Sequence, residues 1–243
     1  MDAGPVGIIT GGLKGIGAAT AMEFARTGAR MVLTDLSQAG ADDLMVRVRA
    51  AGGEAVCISA DVRDPGSHEP AVLEAVQRWG RIDFLVANAG IADQSRVATG
   101  DPDRWRAVVE TNLLGVIYVT HVVLPTMLEQ GSGHVIITCS VSGREAYVGE
   151  PVYIASKWGQ VGFAHSLRLE LIESGVRVTL VEPGLVNTPL TYNNPKIRPL
   201  LEEIEPLSAE DVARAVVFAY QQPPRVSISE IVVRPQQQLL PRL

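Results

Sequence analysis

Aromatic side chains supply only 5% of the 243 residues, and cysteine occurs twice. Two cysteines cannot build a disulfide framework; Cys57 and Cys139 both fall in apolar, strand-like runs and read as buried reduced thiols. That usage points to the cytoplasm. Positive charge is also short, with 21 Lys and Arg against 27 Asp and Glu, a net charge of −6 and no basic run longer than two residues. No nucleic-acid surface is expected. Long hydrophobic runs are missing too. The most apolar window, Leu113 to Leu128, is broken by Thr120, His121 and Pro125 and reads as too short to cross a bilayer. Met1 to Gly4 lead almost directly into a strand, leaving no room for a secretory or transit signal. No metal site is expected. What the chain does have is core: hydrophobic residues are 47% and charged residues 20%, and the length is ordinary for one α/β domain covering residues 1–243.

Val6 to Thr10 is a short apolar run of the kind that forms a strand buried on both faces. It opens directly into Gly11-Gly12-Leu13-Lys14-Gly15-Ile16-Gly17, and Ala18 to Thr27 then shows helical spacing. A glycine turn between strand and helix lets the backbone approach a pyrophosphate, with the N–H groups and partial positive charge of the helix start facing it. The next strand, Arg30 to Thr34, closes at Asp35, about where a dinucleotide fingerprint places its ribose ligand. A carboxylate there can accept from adenosine ribose hydroxyls and repel a 2′-phosphate. NAD is therefore favoured, with NADP the alternative because Lys14 could reach such a phosphate.

The alternation continues through a helix from about Gln38 to Ala51, a strand at Ala55 to Ser59, Asp61-Val62, a helix from about Ser67 to Trp79 and a strand at Ile82 to Ala87. Strands alternating with helices imply parallel pairing and right-handed crossovers: an α/β, doubly wound Rossmann-type sheet of about seven strands with helices on both faces. Ligands gather at the carboxyl ends of such strands, where Gly11, Asp35, Asp61 and Asn88-Ala89-Gly90 converge. Further on, a helix from about Pro102 towards Glu129 carries Asn112 in its middle, a mild misfit for a helix interior. The strand His134 to Cys139 ends at Ser140, and a helix beginning after Pro151 carries Tyr153 and Lys157. Four positions apart, these two project from one helix face. An ammonium beside a phenol favours phenolate, so Tyr153 is expected to be tuned towards neutral pH as a proton donor and acceptor.

Thr10-Gly11-x-x-x-Gly15-x-Gly17, Asp61-Val62, Asn88-Ala89-Gly90, Asn112, Ser140, Tyr153-x-x-x-Lys157 and Pro183-Gly184-x-Val186-x-Thr188 stand in one order and spacing over residues 10 to 188. In this the chain resembles the short-chain dehydrogenase/reductase family, in its branch of about 250 residues. The resemblance implies an oxidoreductase with a catalytic set of Asn112, Ser140, Tyr153 and Lys157. Tyr153 would be the general acid/base, and Ser140 would hold the substrate oxygen. Lys157 would lower the Tyr153 pKa and bind the nicotinamide ribose, and Asn112 would hold a water relaying protons between Lys157 and solvent. Asp61 and Val62 would meet the adenine, and Asn88 to Gly90 would line the cofactor. Pro183, Gly184, Val186 and Thr188 would lie at the nicotinamide end, with Ile16 and Leu36 completing the cofactor set beside Lys14 and Asp35. The resemblance also implies a homodimer or homotetramer.

Two departures stand out. Ala87 replaces an Asn frequent in the family, and Ser227 to Arg234 lacks the Gly-rich strand of many relatives. The stretch 189–206 reads as a substrate lid, with Tyr192, Asn193, Asn194, Lys196 and Arg198 too polar for a steroid site. A helix from about Ala209 to Tyr220, opened by Ser208 and Asp211, follows it. The tail 235–243, Gln-rich between prolines, is expected to pack on a neighbour or to be loosely ordered. A small or medium, partly polar secondary alcohol and its ketone is the expected substrate pair. Two other readings, a lyase or dehalogenase that has dropped the nucleotide and a non-catalytic nucleotide sensor, are opposed by intact Gly11, Gly15, Gly17, Tyr153 and Lys157.

Overall fold

A computed structural model describes residues 4–238. Seven strands form one sheet: β1 (Val6–Thr10), β2 (Arg30–Asp35), β3 (Glu54–Ser59), β4 (Phe84–Ala87), β5 (Gly133–Thr138), β6 (Val176–Pro183) and β7 (Glu230–Val233). Their order is β3-β2-β1-β4-β5-β6-β7, and each neighbouring pair is parallel. The chain winds outward from β1 to β3, then crosses back to start β4 on the other flank of β1. The reversal leaves a crevice beyond the carboxyl ends of β1 and β4.

Period-two alternation decides which side chains meet which helices. Ile8, Leu85, Val135 and Ile137 face one way, into a core shared with α3 (Glu69–Trp79), α5 (Gly115–Gln130) and α6 (Pro151–Glu170). Ile9, Phe84, Val86 and Ile136 face the other, onto α1 (Gly15–Ala25), α2 (Ala41–Ala50) and α9 (Ala209–Tyr220). Helix α9 starts at a reciprocal cap, Ser208 Oγ accepting from Asp211 N while the Asp211 carboxylate accepts from Ser208 N. Both faces of the central strands are thus dry, while the edge strands β3 and β7 are only partly buried.

One expectation needs correcting. α4 (Pro102–Val109), a single π-helical turn at Glu110–Leu114 and α5 form one continuous helix of 29 residues, long and apolar enough by length and composition to cross a membrane. Pro125 does not end it. Val116, Val119, Val123 and Met127 are buried in the core on one side of that helix, and this packing outweighs the lost backbone bond. Packing against the sheet, and not shortness, is what gives this helix its role.

Candidate active site

The glycine turn is built for backbone approach. Gly11 has φ +59°, the left-handed region, and a Cβ on Gly17 would stand 2.0 Å from the Gly11 carbonyl oxygen. The start of α1 therefore lies against the end of β1, with first-turn N–H groups that have no partner inside the helix. Across the switch point, the Thr10 hydroxyl accepts from the N–H groups of Asn88 and Ala89, both at 3.0 Å. The Asn88 amide returns bonds to the carbonyls of Thr10 (3.0 Å) and Gly11 (3.2 Å). Four bonds pin β1 to β4 at the crevice floor.

The crevice has a volume of about 550 Å³, and all of the expected cofactor and catalytic residues line it except Gly17 and Asn112. Gly17 acts by having no side chain; Asn112 lies behind the wall. At one end Asp35 and the exposed Leu36 form the rim, and among the described residues no hydrogen bond or ion pair engages the Asp35 carboxylate. Lys14, also exposed, shares the rim. Asp61 is gripped by Arg63 through Nε at 3.0 Å and Nη2 at 2.6 Å, which holds its carboxyl below the usual range. Val62 is buried beside it. At the other end Pro183 and Gly184 close β6, and Thr188 caps α7 (Pro189–Tyr192). A close-approach glycine cradle, a free carboxylate at one rim and an amide-lined floor fit a dinucleotide.

Ser140 stands in extended backbone just past β5, its Oγ accepting from Ser142 N at 3.1 Å. Tyr153 and Lys157 face it from the first turns of α6. Lys157 is buried, its Nζ 5.7 Å from the centre of the Tyr153 ring, and it donates to the Thr138 carbonyl and to Gln160 Oε1, both at 3.2 Å. Bonds from an ammonium contribute about 1.5–3 kcal/mol each, and here they offset part of the cost of burial. Burial still pushes the Lys157 ammonium down and the Tyr153 phenol up, while hydrogen bonding with Ser140 pulls the phenol partly back. The direction for Tyr153 is opposite to the sequence expectation, because removal of the phenol from water outweighs a cation whose bonds are directed at Thr138 and Gln160.

Asn112 occupies the π-helical turn, which explains its misfit in an ordinary helix. It is fully buried and uses its side chain on the loop after β4: Oδ1 accepts from Ile91 N and Nδ2 donates to Ile91 O, both at 2.9 Å, with a further bond to Ser156 Oγ at 3.2 Å. Its main-chain carbonyl accepts from Gln160 Nε2. The Gln160 carboxamide thus stands between Asn112 and Lys157, where the resemblance leads one to expect a water.

A second cavity, of about 880 Å³, meets the crevice at Ser140 and Tyr153. Gln94, Tyr147, Glu150 and Lys196 are on its wall, and burial pushes the Glu150 carboxyl up. The segment 189–206 contains α7 and α8 (Leu200–Glu203) and is tied to Gln94: Asn194 Nδ2 donates to its side chain and Lys196 Nζ to its main-chain oxygen. The start of the tail packs on this same chain, Gln238 Oε1 accepting from Leu185 N at 2.8 Å; residues 239–243 lie outside the described residues. Sequence reasoning missed Gln94, Arg63 and Gln160. Only Gln160 left a signal, being three positions after Lys157 and so on its helix face.

The fold and site define a Rossmann-type oxidoreductase in which a glycine-cradled crevice opens onto a second cavity. The model of the family described as short chain dehydrogenase matches residues 5–198. An uncharacterized oxidoreductase of Staphylococcus saprophyticus is 34% identical, with 95% of this chain and 97% of the relative covered. Among solved structures, levodione reductase superposes with a TM-score of 0.87 at 32% identity, covering 95% of each chain. An alcohol dehydrogenase of the archaeon Thermococcus sibiricus complexed with 5-hydroxy-NADP gives a TM-score of 0.88 at 26% identity, covering 97% of this chain and 98% of that one. The chain belongs to the short-chain dehydrogenase family.

Proposed function

We propose that the protein transfers a hydride between NAD(H) and a secondary alcohol or its ketone, with Tyr153 as general acid/base. The observation that carries this reading is the meeting of crevice and cavity at Ser140 and Tyr153. A carbonyl oxygen entering from the cavity would reach both hydroxyls. Tyr153, whose raised pKa keeps it protonated at rest, would give its proton to that oxygen during reduction and recover one during oxidation. Ser140 would donate a hydrogen bond to the same oxygen and steady the charge developing there. Lys157 would attract the phenolate as it forms and bind the nicotinamide ribose. Asn112 would hold the loop at Ile91 in place. Asp61 and Val62 would meet the adenine, and Thr188 with the Val186 backbone the carboxamide. The nicotinamide, when bound, supplies the hydride.

NAD is proposed over NADP on the strength of the unpaired Asp35 carboxylate at the ribose end, although the archaeal neighbour is complexed with an NADP derivative. Wild-type kcat/KM should be higher with NADH than with NADPH, and Asp35→Ala should narrow the ratio about tenfold or more by removing the repulsion. A wild-type preference for NADPH would give the rim to Lys14 instead. The polar wall formed by Gln94, Tyr147, Glu150 and Lys196 supports a small to medium, partly polar substrate.

We also infer self-association as a homodimer or homotetramer. Leu128 of α5 and Trp158 and Leu169 of α6 stay exposed on helices that are apolar over much of their surface. A monomeric mass by light scattering at micromolar concentration would overturn this.

A further inference from the structure

Gln160 has no role in any of the chemistry assigned so far, yet it is fully buried and commits both ends of its carboxamide to the catalytic residues. Its Oε1 accepts from Lys157 Nζ at 3.2 Å, and its Nε2 donates to the Asn112 carbonyl in the π-helical turn. Glutamine on a helix ordinarily faces water. Here it is among the buried residues of α6 with Ala164 and Leu167, which belong to the apolar core, and a buried polar group without partners is costly. Its polar atoms therefore fix its orientation: amide oxygen to the ammonium, amide nitrogen to the carbonyl.

We infer that Gln160 is a positioning residue for the reaction, fastening the Lys157 ammonium to the Asn112 carbonyl and filling with a side chain the place of a proton-carrying water. Two consequences follow, and both rest on the reading of Tyr153 as acid/base. The first is electrostatic. The Gln160 oxygen stabilises the charged form of a buried lysine and fixes it beside the phenol, so it helps the phenolate indirectly. The second concerns proton traffic. An amide accepts at oxygen and donates at nitrogen, and cannot hand a proton across without becoming its imidic-acid tautomer. The route from Lys157 towards Asn112 is closed to protons, and Tyr153 exchanges its proton through the crevice or cavity.

The test compares Gln160→Met, similar in volume and apolar, with Gln160→Ala, which leaves a polar-lined space that water can enter. The non-kinetic readout is Tyr153 ionisation in the free protein, from phenolate ultraviolet absorbance with the signal of Tyr153→Phe subtracted. The kinetic readouts are the pH profile of kcat/KM for alcohol oxidation and its dependence on the deuterium fraction of the solvent. In Gln160→Met, the Tyr153 ionisation and the acidic limb it governs should move up by about one pH unit, roughly tenfold in rate on that limb, with NADH affinity within threefold of wild type. In Gln160→Ala both should return towards wild type. Its deuterium dependence should become bowed, whereas that of wild type is straight.

A folded Gln160→Met with Tyr153 ionisation and pH profile unchanged overturns the inference. If the Met variant does not fold, Gln160→Ala decides alone, and a straight deuterium dependence there overturns it. Failure of the acid/base reading is separately visible, because Tyr153→Phe would then retain turnover.

Discussion

Tyr153→Phe is expected to lower kcat/KM for ketone reduction about 10²- to 10⁴-fold, while NADH affinity stays within a few-fold of wild type. The substitution removes one oxygen and keeps the ring. What is lost is a proton donor at the junction of crevice and cavity, worth about 3 to 5 kcal/mol of barrier at 1.36 kcal/mol per decade. Ser140 cannot take over, since a serine hydroxyl is a far weaker acid and its Oγ already accepts from Ser142 N. Stopped-flow NADH consumption with a ketone found by screening, together with NADH fluorescence titration, separates chemistry from binding. Turnover within tenfold of wild type would remove Tyr153 from the mechanism.

Gly17→Ala is expected to be the most damaging single-carbon change in the crevice. The new methyl would stand 2.0 Å from the Gly11 carbonyl oxygen and 2.8 Å from Asn88 Nδ2, closer than real carbons come. The helix start must move away, breaking the alignment of its N–H groups with the crevice and straining the Asn88 bonds to β1. Overpacking of this kind costs about 1–3 kcal/mol of stability. Dinucleotide affinity should fall at least about tenfold, since the backbone approach is what the glycine provides. A variant with wild-type denaturation midpoint and wild-type NADH affinity would show that α1 has slack at this contact.

Most of the fold was legible because the hydrophobic pattern has only two readings here. Runs such as Val6 to Thr10 are too short for a helix and too apolar for an exposed strand, so a parallel sheet covered on both faces follows. Element ends were less legible. Helix α1 starts at Gly15, not Ala18, because the glycines at 15 and 17 disguise its first turn, glycine being a poor helix former. The long helix was legible from Pro102 towards Glu129; what was misjudged was its apolar window, read as too short to cross a bilayer, since the proline at 125 does not interrupt it. Motif spacing brought Ser140, Tyr153 and Lys157 to one crevice. What spacing could not supply was the environment. Burial pushes Tyr153 up where a neighbouring cation suggested the reverse, and Gln160 reads as a surface residue until its helix is packed.

The loop after β4 joins these parts mechanically. Its first residue, Asn88, is tied to the glycine turn; Ile91, three residues on, is clasped by Asn112; and Gln94, three further, holds the segment 189–206 through Asn194 and Lys196. Connecting segments are usually where insertions and drift are best tolerated. This one is a strap stitched at equal intervals to three separate working parts. A residue added anywhere between 88 and 94 would throw the later stitches out of step at once, so the least regular backbone near the site is also its least negotiable dimension.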